Sequence, residues 1–406
     1  MFYRTKRIVL TVVLSSCLLF SAYAACVAES VSFWTQKATN PTMLAILEEF
    51  TQETGINVEL KYIDFTTDAI YIGLASGVLP DIFTHGGAAI GAFGALNFLL
   101  PLEPILDEFE FMKDMIPQVK TAGQYEGKQV AIAWNGITVR DLIYRVDILA
   151  EMGVSPAALS QSWNSFIQNG RKLVQRNADG SLRRSAMNIP KTQTWAQQFF
   201  MILQSQYGGS LLKDGLPALN DGTAVQALQL HADLIHVHQL DAFGHGGNLA
   251  TGTTASMWGG WGDVKTSVDA GHELGITHLP YEKQRAAFFA ADWIAIPEDA
   301  QNRTGAIKLL EYLLHPERQK RMNREMAGGA LPFYRSAMQW DWVKATPPLE
   351  KLFDASLYGV PNPSHPLWFE MRDVLVATVS AAVRQSISPQ AAMEQAQTLI
   401  MELLRQ

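Results

Sequence analysis

The chain has 406 residues, of which 48% are hydrophobic and 17% charged, and its net charge is −7. That length suits about two domains, and the composition can bury large cores, which excludes a disordered chain. The acidic balance argues against a nucleic-acid surface, which needs a basic face.

The N-terminus reads as a sorting signal. Arg4, Lys6 and Arg7 precede an apolar run over 8–20, and Ala22-Tyr23-Ala24 offers a small-x-small cleavage site, with Cys26-Val27-Ala28 a second option. The run is too short for a comfortable membrane span. Residues 1–28 are therefore expected to be a signal peptide, and the protein to work in the periplasm. Its removal leaves 29 basic against 39 acidic residues. The only cysteines are Cys17 and Cys26, so the mature chain needs no disulfide. Leu14-Ser15-Ser16-Cys17 spells a lipoprotein box. Acylation there would leave Leu18, Leu19 and Phe20 exposed on the tail, which makes a lipid anchor the lesser expectation.

Further on, a strand is predicted over 31–34. Asn40-Pro41 reads as an N-cap with proline at the first helical position, and Met43, Ile46, Leu47 and Phe50 share one helical face that ends at Gly55. A strand over 57–63, a helix over 68–76, a strand over 80–83 and a helix over 88–99 follow. This rhythm is that of an α/β domain with a largely parallel sheet, whose ligands sit beyond the carboxyl ends of the strands. Residues 34–37 and 83–87 occupy such positions. A glycine turn at Gly127 feeds a strand, and another is expected over 139–144. Helices over 147–152, 163–173, 194–206 and 221–238 make the middle of the chain a helix-rich second lobe.

The next stretch, Ala255-Ser256-Met257-Trp258-Gly259-Gly260-Trp261-Gly262-Asp263, sets two indoles three residues apart among glycines. Indole faces suit the apolar face of a sugar ring, and a carboxylate can take the hydroxyl hydrogens at its rim. The alternative is a strand end whose tryptophans fill a core. Short strands over 275–280 and 288–296, a helix over 305–314, an extended segment at 331–333 and helices over 367–384 and 389–404 complete the chain.

The order of these motifs resembles the family 1 extracellular solute-binding proteins, the maltose-binding-like components of ABC importers. The resemblance rests on Phe33-Trp34 before an amphipathic helix, and on Gly77-x-x-Pro80-Asp81-Ile82-Phe83. It extends to Tyr125-x-Gly127-Lys128, Leu142-Ile143-Tyr144-x-x-Asp147 and Ala255-Ser256-Met257-x-Gly259-Gly260-Trp261. It implies a periplasmic-binding-protein-like fold of two α/β lobes around a cleft, joined by a multi-strand hinge. The lobes are expected at 29–136 plus 281–330 and at 137–280 plus 331–406. It also implies a monomer that binds a sugar or oligosaccharide, without catalysis, metal or cofactor, and delivers it to the membrane subunits of an importer. Two departures fall where ligands bind in the family. Ala291-Asp292 replaces a glycine pair, and the first crossing carries Trp134-Asn135-Gly136.

The resemblance carries stacking roles to Trp261, within the loop that holds Gly260, and to Trp368. Trp34, Trp195, Trp258 and Trp293 are further candidate platforms. Gln36, Lys37, Asp81, His85, Asn135 and Asp292 are candidate polar contacts, Asp81 alternatively being a turn residue. A polyol, a glycerol phosphodiester, a sugar phosphate or a polyamine are alternative ligands; a phosphate would favour Lys37, Arg140 and Arg335. An exported carbohydrate-active enzyme would need a pair of acids from Asp81, Asp263 and Asp292. His231, His236 and His238 share no helical face, and zinc is not expected.

Overall fold

The computed structural model of the chain describes residues 29–64, 67–326, 330–346 and 348–405. The expected signal segment, with both cysteines, lies outside the described residues.

Local chemistry sets the first elements. Strand β1 (Ser30–Thr35) leads into helix α1 (Pro41–Thr54). Asn40 caps this helix, its Oδ1 accepting from the Met43 amide at 3.1 Å, and Gly55 closes it at φ 74°. Met43, Ile46, Leu47 and Phe50 form its buried face, as their spacing predicts. Strand β2 (Asn57–Tyr62), helix α2 (Asp68–Ser76) and strand β3 (Ile82–Gly86) follow, with β2 and β3 parallel to β1 on its two sides. The helix expected over 88–99 is only a 3-10 turn and the short α3 (Ile90–Gly94). Gly91 and Gly94 weaken it, and Asn97 at φ 52° ends the local turn.

Next comes a strand longer than the sequence suggests. Residues 132–145 form one 14-residue strand, β4 (Ile132–Arg145), where two pieces were expected. Helix α4 (Trp163–Leu173), strand β5 (Leu182–Asn188), helices α5 (Gln193–Gln206) and α6 (Thr223–His236) and strand β6 (Thr254–Gly259) succeed it. The tryptophan stretch is thus a strand that turns at Gly260 into α7 (Trp261–Asp269). Then come β7 (Leu274–Thr277), β8 (Ala287–Ala295), α8 (Arg303–Leu314), α9 (Pro316–Glu325), α10 (Pro348–Ala355), α11 (Trp368–Val383) and α12 (Pro389–Leu403).

The larger sheet runs β2-β1-β3-β8-β4-β6-β5, with β7 also paired to β4. Strand β4 belongs to both halves of it. The first part of β4 pairs antiparallel with β8 at Ala133–Trp293, and β8 pairs onward with β3. The last part of β4 pairs with β6 and β7. Two hydrophobic clusters flank the crossing. One gathers β1, β3, α1, α8 and the start of β4, and the other α4, α5, α6, α11 and α12. Segment 331–355, expected with the second lobe, buries Leu331, Phe333, Tyr334, Leu349 and Leu352 in the first cluster.

Candidate functional site: the cleft at the crossing strands

On the first-lobe side, the carboxyl ends of β1 and β3 meet the crossing strands. Between Ala291 and Trp293 the register of β8 on β4 shifts, and Trp134, Asn135 and Gly136 bulge from β4 opposite Asp292. The Asp292 carboxylate accepts from the Asn135 side-chain amide at 3.4 Å, so one polar pair links β8 to β4. Burial pushes the Asp292 pKa up, and Lys37, Asn135 and His85 pull it back. These four residues, named separately from the sequence, are brought together. Asp292 lies opposite Gly86, and His85 opposite Trp293, at the carboxyl end of β3. Gln36 positions this end: its amide donates to the Asp64 and Thr84 carbonyls at 3.2 and 3.1 Å and accepts from the Thr84 hydroxyl at 2.7 Å. With its amide engaged on both sides, Gln36 knits β1 to β3 and presents Lys37.

Gly136 makes the crossing possible. It takes φ +106°, and a Cβ there would lie 2.6 Å from the Leu331 carbonyl oxygen. Ile137 and Leu331 exchange both backbone hydrogen bonds at 2.8 Å beside it, and the Asn323 side chain donates to the Asn135 carbonyl at 2.8 Å.

On the second-lobe side, β5 and β6 run parallel, and a cavity of about 420 Å³ opens at their carboxyl ends. Asn188, Pro190, Lys191, Trp195, Met257 and Trp258 line it. Trp195, at the start of α5, is 46% exposed, the one open platform among the six candidate tryptophans. The Arg140 guanidinium lies 4.1 Å from the Trp195 ring centroid, 4.9 Å from Phe288 and 5.5 Å from Trp258. It donates to Gln198 Oε1 at 3.0 Å. Burial lowers its pKa to about 10, against the pull of Asp263, so it is charged at neutral pH. Gly260 forms the bend: its amide donates to Asp263 Oδ2 at 2.9 Å, which starts α7.

Other candidates are buried or stand apart from these groups. Asp81 stands at the amino end of β3. Its carboxylate accepts from the Ser32 amide at 2.8 Å, the Ser32 hydroxyl at 3.0 Å and the Asn302 amide at 2.7 Å, the work of a turn residue. Trp368 is wholly buried in the second cluster. Trp261 is 8% exposed and packs against Trp342 at 5.9 Å, because segment 331–355 folds over α7. Trp258 is buried edge-on to Phe199 at 5.5 Å, and Trp34 is buried under the Lys61 ammonium at 3.8 Å. Trp293 is buried too. A Cβ on Gly87 would sit 2.8 Å from its indole nitrogen, so this glycine makes room for the ring.

The enzyme alternative loses one acid pair. Asp81 and Asp292 lie at opposite ends of β3, roughly 16 Å apart at about 3.3 Å per residue, beyond the roughly 5–10 Å that glycoside hydrolysis uses. The histidines are dispersed: His231, His236 and His245 each bond a different carbonyl, those of Pro190, Val383 and Thr253. Sequence reasoning missed Asn188, Gln198 and Phe288, and named Arg140 only as a phosphate contact. A polar residue at a strand's carboxyl end was the available signal for Asn188, but the strand itself was not recognised.

A family model described as bacterial extracellular solute-binding protein matches residues 45–351. The chain belongs to this family. As a solute-binding protein it is 23% identical, over 65% of its length and 68% of the relative's, to a probable amino-acid ABC transporter periplasmic-binding protein of Sinorhizobium fredii. Solved structures share the fold. The sugar-binding protein MalE of Xanthomonas citri superposes with a TM-score of 0.80 at 20% identity, covering 93% of this chain and 97% of that one. A solute-binding protein of Thermotoga lettingae bound to α-D-tagatose gives 0.78 at 19%, covering 93% and 100%. One of Agrobacterium radiobacter in complex with ribitol gives 0.74 at 21%, covering 92% and 98%.

Proposed function

We propose that this solute-binding protein is the periplasmic component of an ABC importer and captures a sugar or a related polyhydroxyl compound in the cleft crossed by β4 and β8. One observation carries the reading. The crossing strands hold Asn135 and Asp292 against the first lobe and Arg140 against the second, with the open face of Trp195 beside the cavity. Carboxylate and amide groups suit hydroxyls, and an indole suits the apolar face of a pyranose. A ligand that touches both sides favours the closed form, because only such a ligand has differential affinity for it. The transporter would read that closed form. The protein performs no chemistry on its cargo. We assign the lobes to the chain on either side of the crossing, as 29–136 with 288–355 and 137–287 with 356–405.

Calorimetric titration of the mature chain with mono-, di- and trisaccharides and polyols tests this. Saturable binding of at least one is expected, at about micromolar affinity, or roughly −8 kcal/mol. Silence across the panel would refute the carbohydrate reading. The name of the Sinorhizobium relative supplies the second reading, an amino acid, and the same titration with the twenty amino acids decides between them.

A further inference from the structure

We propose that the ligand carries an anionic group, a carboxylate or a phosphate, which docks on the Arg140 guanidinium at the second-lobe side of the cleft. The inference rests on the carbohydrate-binding reading and narrows it to an acidic sugar.

The first ground is the state of Arg140 among the cations of the chain. Lys191, which lines the cavity beside Trp195, is paired with Asp241. Arg145, further along β4, is paired with Asp147 at 2.6 Å, and Arg184 with Glu151 at 3.7 Å. Lys37, across the cleft, faces Asp292. Arg140 has no carboxylate within 4 Å among the described residues, although burial has stripped away much of its water. Asp263 attracts it from farther off while its Oδ2 accepts from the Gly260 amide. A desolvated charge without a counter-ion is costly, and rings and a neutral amide offset only part of that cost.

The second ground is geometry. A guanidinium has five N–H donors, and Gln198 Oε1 takes one. No nitrogen of Arg140 is among the buried side-chain atoms that lack a partner, so its unused donors reach accessible space. Trp195, Trp258 and Phe288 pack around the guanidinium and hold its plane. A fixed planar fork with free donors matches the paired oxygens of a carboxylate or phosphate. The accessible Trp195 indole beside it gives the sugar ring a platform, so charge and ring are recognised side by side.

The test uses the mature protein and matched titrants in calorimetry: glucose with glucuronate and glucose 6-phosphate, galactose with galacturonate, and maltose with maltobionate. In at least one set, the acidic member is expected to bind at least tenfold tighter than its neutral twin. The preferred anion distinguishes carboxylate from phosphate. Arg140→Met keeps the stem over the indole, removes the charge, and is expected to bring the acidic member down to the affinity of its twin. In the unsubstituted protein, binding of the acidic member should weaken as salt rises from 20 to 500 mM while its twin holds steady, a reading independent of the variant's folding. Neutral sugars that bind as tightly as their acids, or an acid preference that survives in the variant or ignores salt, would overturn the proposal and leave sugar binding intact. No binding in any set would remove both.

Discussion

Trp195 and Trp368 carry opposite expectations at the level of single residues. Trp195 is 46% exposed beside the cavity, and by analogy with stacked nucleobases its platform should contribute about 1–3 kcal/mol. Trp195→Ala should therefore weaken ligand binding roughly 5- to 150-fold in calorimetry, with a melting temperature close to that of the parent. Trp368 is wholly buried in the second cluster, and Trp368→Ala should cost about 3–5 kcal/mol of stability in urea unfolding. Ligand affinity of the folded fraction should change less than twofold. A large affinity loss with little unfolding would return Trp368 to the site. Asp81→Ala should likewise destabilise, by about 1–3 kcal/mol through the amides it leaves unpaired, and spare binding. Resemblance favours Trp261 and Trp368 over the other four tryptophans, but the sequence cannot sort core from platform, because indole is both the largest core side chain and a good sugar platform. Only the tertiary packing of segment 331–355 over α7, and of α11 into its cluster, separates those uses. Part of the polar set gathers in one place. Lys37, His85, Asn135 and Asp292 fall at strand ends or at the crossing, and such positions converge by topology.

Among the elements, β4 decides the architecture, and Asp141 is its fastening. The Asp141 carboxylate accepts from the Leu279 amide at 2.6 Å, the Leu142 amide at 3.0 Å and the Tyr358 hydroxyl at 2.9 Å. It thus ties β4 to the segment before β8 and to a third chain segment. Burial raises its pKa to about 7, against those hydrogen bonds and the more distant Arg285. An unfolded aspartate titrates near 3.9. The folded form therefore holds this proton more tightly, and the stability it brings is fully present below about pH 4 and lost as pH rises through about 7. Urea unfolding should show wild-type stability falling from pH 5 to pH 8 more steeply than that of Asp141→Asn. Equal slopes would contradict the assignment. Periodic elements such as α1 and α4 were readable because their apolar spacing and caps agree. Helix α9 was not. It is nearly all polar, with only Gln319, Met322 and Asn323 buried, and its opening Pro316 reads as a stop. Strand β5 was hidden by two arginines, of which Arg184 is buried and donates to the Leu173 carbonyl.

Across the whole molecule, the account is of two α/β lobes whose shared strands allow closure on a ligand. Gly136 sits at the crossing of those strands. Its φ of +106° and close neighbours leave no room for a side chain, so Gly136→Val should destabilise the fold and weaken ligand binding together. Paired thermal unfolding and titration would check this. The two-lobed α/β fold was legible from motif order alone. The first cluster joins residues of 331–355 to Trp261, Val264, Leu274 and Ile276, contacts between distant segments that no local pattern announces. The most direct measurement is a crystal structure of the mature protein with the tightest-binding member of the sugar panel. The account predicts density that spans the cleft, touching Asp292 or Asn135 on one side and Trp195 or Arg140 on the other. A ligand held by one lobe alone, or seated away from the crossing strands, would contradict it.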